Sequence, residues 1–280
     1  MPEPSYRGRI APSPTGYLHL GHAMTFRTAW ERASGGVLVL RIEDLDAPRC
    51  RPEFRAAICE DLRWFGLAWQ EGPDVGGPFA PYVQSGRDYL PAWRALRDAG
   101  LIYPCTCSRR DVLSALSAPH AETDDEPLYP GTCRHRLAGA RGVESPAGVN
   151  WRFRVPDGEE IFFRDGRMGE RRAIAGKDFG DFMVWRKDNI PSYQLAVAAD
   201  DAAMEITEVV RGEDLLQSTF RQMLIYRALG LREPGWYHCA LVRDAEGRRL
   251  AKRHAALSLR ELRAAGEEPG SVQLRFARGL

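Results

Sequence analysis

The apolar positions of this chain fall into short runs separated by glycine, proline and charged clusters, and their period changes along the sequence. Tyr6 to Ala11 reads as a short strand, and Pro12-Ser13-Pro14-Thr15-Gly16 behind it reads as a turn, since two prolines forbid continuous ladder pairing and Gly16 permits a positive φ. A helix is expected to begin soon after. Gly35-Gly36 breaks it, and VLVLRIE is the nearly continuous apolar run of a buried parallel strand. Arg51 to Phe65 has helical spacing, with Pro52 near its first turn and Phe54, Ile58, Leu62 and Phe65 on one face. Residues 66–84 hold four glycines and three prolines and make a loop. Ser85 is expected to cap the next helix, in which Tyr89, Trp93 and Leu96 share a face and Gly100 marks the end.

The pattern then turns to shorter elements. Residues 134–190 carry twelve Lys/Arg and nine Asp/Glu, and the alternating runs WRFRV and EIFFRD predict a small antiparallel piece. FMVWR, which follows Gly176-Lys177-Asp178-Phe179-Gly180-Asp181, is expected to return to the main sheet. ITEVV places Arg211 at a strand end, and SLRELRAAGEEP predicts a last short helix.

With 280 residues, 44% hydrophobic and 28% charged, the chain has the size of about two domains, or of one large domain with an insertion. A net charge of only +1 argues against a protein that wraps much nucleic acid, so any RNA contact comes from local patches. One such patch lies in residues 241–280, where nine Lys/Arg face five Asp/Glu. No apolar run approaches the roughly 18 residues that span a bilayer, and MPEPSYRGR lacks the hydrophobic region of a signal peptide. The expectation is a cytoplasmic protein with no membrane contact. Six cysteines in that setting point to thiols or metal binding rather than a disulfide framework.

Three clusters carry candidate chemistry. His19 and His22, three apart at a helix start, lie on one face beside unpaired N–H groups and the positive end of the helix dipole, a place to hold phosphate. Gly21, with no Cβ, lets a flat base approach the backbone between them. Neither G-x-x-x-x-G-K-[ST] nor G-x-G-x-x-G occurs. Glu43 ends the VLVLRIE strand, where ligands of open α/β sheets bind, and is suited to pairing with a substrate ammonium. Cys105, Cys107 and Cys133, separated by a polar loop, fit a zinc-bound insertion, and chemistry alone selects His120 or His135 as fourth ligand.

RIAPSPTGYLHLGH, from Arg9 to His22, resembles the HIGH-containing signature of class I aminoacyl-tRNA synthetases, in the version that marks the glutamyl and glutaminyl enzymes. The resemblance covers nearly all 280 residues, through RIED, Cys-x-Cys with Tyr-x-x-x-Cys, and VRGEDL. It implies an α/β Rossmann-type nucleotide-binding fold with a parallel sheet, interrupted by a zinc-containing insertion and without an anticodon-binding domain. Residues 1–104 would form the first half of the catalytic domain, 105–190 the zinc-binding and acceptor-type insertion, and 191–280 the second half.

It also implies tRNA-independent activation of L-glutamate by ATP with Mg2+. The amino acid pocket would consist of Arg9, Ile10, Ala11, Pro12, Ser13, Glu43, Tyr193 and Arg211. Arginine on the side-chain carboxylate rejects glutamine, whose amide brings donors where acceptors are needed. A salt bridge from Arg211 to Glu213 or Asp214 is the competing role for that arginine. His19, Gly21, His22 and Lys252 would meet ATP, with His19, His22 and Lys252 catalytic. Lys252 is all that GRRLAKR keeps of the KMSKS loop: Arg249, Leu250, Ala251 and Arg253 depart from it.

C-x-C followed by Tyr-x-x-x-Cys is similar to the glutamyl-queuosine branch, which implies one structural Zn2+ on Cys105, Cys107, Tyr129 and Cys133. The implied acceptor is the queuosine of tRNA(Asp), served by a monomer. The alternatives are a shortened glutamyl-tRNA synthetase charging tRNA(Glu) and a catalytically inactive glutamate-sensing paralogue, the latter resting on the eroded KMSKS segment.

Overall fold

β1 (Arg7–Ile10), α1 (Leu20–Arg32) and β2 (Val37–Leu40) form a parallel crossover unit in which Arg7 lies opposite Val37 and Ile10 opposite Leu40. The return into β2 depends on Gly36, where a Cβ would stand 2.4 Å from the Tyr6 carbonyl oxygen. That oxygen accepts from Val37 N at 2.9 Å. The computed structural model describes residues 5–114, 128–242 and 258–277.

Further along come α2 (Pro52–Trp64), α3 (Leu90–Asp98), β3 (Ile102–Cys105), α4 (Arg109–Ser114), β4 (Asn150–Phe153), β5 (Glu160–Asp165) and β6 (Gly169–Ile174). The chain continues through β7 (Phe182–Arg186), β8 (Ile190–Pro191), α5 (Tyr193–Ala203), β9 (Glu208–Gly212), α6 (Leu216–Ala228) and β10 (Gly235–Cys239). α7 (Leu259–Ala264) and α8 (Pro269–Ala277) close the described chain.

β9 runs beside β1. Thr207 N donates to the Arg7 carbonyl at 2.9 Å and Arg9 Nη1 to the Val210 carbonyl at 2.9 Å, so the contacts advance in the same direction along both strands. β10 pairs in parallel with β9, from Gly235 opposite Glu208 to Cys239 opposite Gly212. The spatial order is therefore β2, β1, β9, β10, with α1 following β1 in one direction and α6 following β9 in the other. The reversal falls between β1 and β9, so a crevice opens beyond their carboxyl ends. β5 extends the layer past β10, with Asp165 opposite Trp236.

One core cluster joins Ile10, Leu38, Leu40, Ile58, Leu62 and Phe65 with Leu259 and Leu262 of α7. A second is aromatic: Trp93 meets Trp151 edge-on at 4.9 Å between ring centroids, and Phe163, Phe179, Phe220 and Trp236 gather under α6. Among the described residues no helix is long and apolar enough to cross a membrane.

Three expectations from the sequence need correction. FMVWR does not rejoin the parallel layer; as β7 it pairs antiparallel with β4 and β8 in the order β3-β4-β7-β8. The cause is the Lys187-Asp188-Asn189 turn, in which Asn189 takes φ 62° and reverses the chain into a hairpin. Nor does Ser85 cap α3. Its Oγ donates to Asp44 Oδ2 and its N to Oδ1, both at 2.8 Å, while Asp88 Oδ1 accepts from Leu90 N at 2.9 Å at the helix start. WRFRV and EIFFRD belong to two antiparallel units rather than one, β4 with β3 and β7, and β5 with β6.

Candidate active site

The mouth of the crevice is made by backbone bonds between two distant motifs. Arg41 N donates to the Ile10 carbonyl at 2.9 Å and Glu43 N to the Pro12 carbonyl at 3.0 Å, which draws the end of RIED against the proline turn. Ile10 and Pro12 are buried, and Ile10 belongs to the core. These two residues therefore build the wall through their main chain, while Ala11 is half-buried and Ser13 exposed at the rim.

α1 starts at this mouth. His19 is its N-cap, with φ −95° and ψ 165°, and its side chain makes no capping bond to the first turn, which also lacks any acidic residue. The N-terminal N–H groups and the positive dipole end therefore meet no carboxylate of that turn. His19 and His22 stack with ring centroids 3.7 Å apart, and both are half-buried, as is Gly21 between them. Ser258 forms a bridge with His19, and Leu259 N donates to the Leu18 carbonyl at 2.8 Å. The capping box of α7, Ser258 with Glu261, is thereby fixed beside the histidines. Lys252, six positions before Ser258, lies outside the described residues, as do Arg248, Arg249, Leu250, Ala251 and Arg253.

Deeper in the crevice is a network of buried charges. Arg41, wholly buried, donates to Asp201 Oδ1 at 2.6 Å and to Glu43 Oε1 at 3.0 Å. Arg9 Nε meets both oxygens of Asp201 at 3.3 Å. Asp200 accepts from Gln84 Nε2 at 2.8 Å and Tyr89 Oη at 3.0 Å, and pairs with Arg87 at 2.7 Å. Burial pushes the Glu43 carboxyl up from its ordinary range, against the pull of Arg41 and Arg9. Burial acts the same way on Asp201, but there Arg41 and Arg9 prevail and hold the carboxyl low.

Arg211 is 4% exposed and forms no ion pair among the described residues. The salt bridge to Glu213 is not made, because Glu213 bonds Arg167 instead. Nη1 of Arg211 donates to Gln222 Oε1 at 2.9 Å, Nη2 to Thr219 Oγ1 at 2.7 Å, and the group lies 5.1 Å from the Trp236 ring centroid. Burial pulls its pKa down, offset in part by Tyr193 and Asp201. Tyr193, at the first turn of α5, is 39% exposed, and burial raises the pKa of its phenol, which also feels the charges of Arg211, Glu43, Arg9 and Asp201. Arg9, Glu43, Tyr193 and Arg211, drawn from four separate segments, thus share one site.

Cys105, at the end of β3, Cys107 and Cys133 place their sulfurs within 4.8 Å of one another. Tyr129 Oη stands 3.4 Å from Cys105 Sγ and 3.3 Å from Cys107 Sγ, and Cys107 Sγ stands 3.6 Å from Cys133 Sγ. Around a tetrahedral zinc the bond lengths require edges of about 3.8 Å between sulfurs and about 3.5 Å between sulfur and oxygen. Three of the six donor–donor distances lie close to these edges and all three sulfurs lie within 4.8 Å of one another, so the set could close around one ion of that size. His135 turns instead to the Thr132 carbonyl at 3.0 Å and is exposed; His120 lies outside the described residues. The arm behind Cys133 is held by Arg134, whose Nε and Nη2 meet Asp181 at 2.6 and 2.7 Å.

Sequence reasoning missed Arg41, Asp200 and Asp201, although paired aspartates inside the apolar helix YQLAVAADDAA were a signal that buried cations lay opposite. It also missed Thr219, Gln222 and His238, which no motif marks.

The family description "tRNA synthetases class I (E and Q), catalytic domain" matches residues 5–277. The chain is 48% identical over 281 residues to the glutamyl-Q tRNA(Asp) synthetase of Symbiobacterium thermophilum, covering 98% of this chain and 86% of that protein. It is 44% identical over 278 residues to glutamate–tRNA ligase 2 of Acidithiobacillus ferrooxidans, covering 97% of this chain and 57% of the ligase. Among solved structures, the glutamate-tRNA synthetase of Elizabethkingia anophelis superposes with a TM-score of 0.76 at 31% identity, over 89% of this chain and 53% of that one. The chain thus spans about half the length of that solved synthetase.

Proposed function

The chain belongs to the class I tRNA synthetases of the glutamate and glutamine group, and from that premise we propose that it is an ATP-dependent ligase that activates L-glutamate and transfers it to queuosine in tRNA(Asp). The observation that carries this reading is the 48% identity, along 98% of the chain, to a protein of that activity. The 44% identity to a glutamate–tRNA ligase supports a second reading, in which tRNA(Glu) is the acceptor.

In the first step a glutamate α-carboxylate oxygen attacks the α-phosphorus of Mg-ATP, and the bond to pyrophosphate breaks. His19, His22 and the N-terminus of α1 stabilise charge on the phosphates as it develops, since such chemistry is helped mainly by fixed donors aimed at it. Gly21 leaves room for the base, and the role proposed for Lys252 is to neutralise charge on the triphosphate. Glu43 takes the substrate ammonium, while Arg9, Tyr193 and Arg211 hold its carboxylate end, with the wall of Ile10, Ala11, Pro12 and Ser13 alongside. In the second step a cyclopentene hydroxyl of queuosine attacks the carbonyl of glutamyl-adenylate; an ester forms and AMP leaves. No side chain serves as a covalent nucleophile, because orientation and electrostatics carry such a transfer.

Exchange of labelled pyrophosphate into ATP is the test of the first step, expected to require glutamate and no tRNA. Absence of exchange at saturating substrates would favour the glutamate-sensing paralogue. The same assay reports on Glu43. Its pKa is raised by burial, so it takes up a proton at a pH where an ordinary carboxylate is still ionised, and the ammonium then loses its acceptor. The glutamate requirement should therefore rise as pH is lowered toward the carboxylate range, and begin to rise at a higher pH than an unperturbed carboxylate would give. In Glu43→Gln it should be high and flat with pH; a flat wild-type profile contradicts the assignment.

The thiol cluster is proposed to hold one structural zinc on Cys105, Cys107, Tyr129 and Cys133, in a module that contributes residues 105–190 between the catalytic halves. Metal analysis of protein never exposed to chelator is expected to give about one zinc per chain, as a single four-ligand site requires. A value near zero would refute it.

A further inference from the structure

The surroundings of Arg211 are unusual for a buried guanidinium, because every acceptor it meets is neutral. Three of its five N–H groups are directed at Gln222 Oε1 at 2.9 Å, Thr219 Oγ1 at 2.7 Å and, more loosely, His238 Nε2 at 3.4 Å. Thr219 Oγ1 also lies 2.9 Å from His238 Nε2. His238 is wholly buried, and its Nδ1 stands 2.6 Å from Asp165 Oδ2. That carboxylate fixes the tautomer: Nδ1–H donates to Asp165, so Nε2 is left as an acceptor toward Thr219 and Arg211. Burial and the Arg211 charge bring the His238 pKa down to about 4, which keeps the ring neutral at physiological pH.

The carboxylates in this region are already engaged. Asp165 accepts from His238 N at 3.0 Å, Arg167 N at 2.9 Å and Met168 N at 2.8 Å as well as from the imidazole. Asp201 is taken by Arg41 at 2.6 Å and Arg9 at 3.3 Å. Gln222 must turn its oxygen to Arg211, and its Nε2 is then a buried donor with no partner among the described residues. A buried polar group left in that state costs free energy, and an arriving carboxylate is the kind of acceptor it lacks.

We propose that Thr219, Gln222 and His238 are specificity-determining positioning residues, which orient Arg211 through neutral acceptors alone and so reserve its charge for the side-chain carboxylate of the bound amino acid. This rests on the reading of Arg211 as the receptor of that carboxylate. Had any of the three been acidic, the guanidinium would have an internal counter-ion, and an arriving carboxylate would meet a compensated site. A neutral amide would lose much less, so the shell as well as the arginine sets the preference for acid over amide.

The test is Gln222→Glu, which adds a carboxylate at 2.9 Å from Nη1 with almost no change of volume, compared with the neutral Gln222→Met. In glutamate-dependent pyrophosphate exchange, Gln222→Glu is expected to raise the glutamate KM by about 100-fold or more, with the ATP KM within about threefold, and to bring the inhibition constant of glutamine closer to the KM of glutamate. Gln222→Met should raise the glutamate KM by less than about tenfold. Equal effects of the two variants, or parallel loss for glutamate and ATP, would overturn the inference. Thr219→Asp repeats the test from the other side of the guanidinium should Gln222→Glu fail to fold. Arg211→Ala separates the two failures: if it leaves the glutamate KM intact, the underlying reading falls, whereas a large effect there with none in Gln222→Glu removes only the role of the shell.

Discussion

Arg211→Ala is expected to raise the glutamate concentration needed for half-maximal exchange by about 150- to 5,000-fold, while the ATP requirement changes by only a few fold. The estimate follows from the cost of leaving one member of a buried charge pair alone, about 3–5 kcal/mol. In this protein the partner left alone is the side-chain carboxylate of the substrate, in a site where Arg211 is 4% exposed and water offers little replacement. Lysine should not restore the affinity, since a point charge cannot reproduce the planar fork held by Thr219 and Gln222. Equal losses for glutamate and ATP would mean that the arginine supports the fold rather than the amino acid.

His19→Ala carries the second large effect, and it falls on turnover. Removing one preorganised donor from a site of developing charge lowers kcat by about 100- to 1,000-fold. Glutamate binding should be nearly intact, because Arg9, Glu43, Tyr193 and Arg211 cluster around the Arg41 and Asp201 network rather than around α1. His22 stacks on His19 at 3.7 Å, so the two rings act as a unit and the double variant should be little worse than either single one. A defect confined to glutamate binding would contradict the phosphate role.

What the sequence disclosed was whatever is local. The proline turn, the helix that opens at His19, the buried strand of VLVLRIE and the amphipathic α2 each depend on neighbours within a few positions, and each is where the pattern puts it. The thiol cluster is intermediate: Cys105 and Cys107 are near neighbours, but Tyr129 lies 22 positions beyond Cys107, and it was singled out by the family resemblance rather than by spacing. Pairing between distant strands was less accessible. β7 has the apolar run of a central parallel strand, and only the φ of 62° at Asn189 tells that it turns back into a hairpin.

The polar interior was least legible. Arg41 pairs with Asp201 across 160 positions, and His238 with Asp165 across 73, so no window of sequence contains both partners. Thr219 and Gln222 do lie on one side of α6, but every residue from Ser218 to Tyr226 is buried, and the helix has no polar face against which they would stand out. Their role becomes visible only once β9 and β10 have brought Arg211 beside them.

The central claim is that glutamate, once activated in this crevice, is passed to the modified base rather than to a tRNA 3′ end. Incubating the purified protein with ATP and labelled glutamate, in parallel with queuosine-bearing tRNA(Asp) and with tRNA(Glu), measures this directly. The account predicts label on queuosine-bearing tRNA(Asp), none on the same tRNA lacking the modification, and none on tRNA(Glu); label on tRNA(Glu) alone would contradict it.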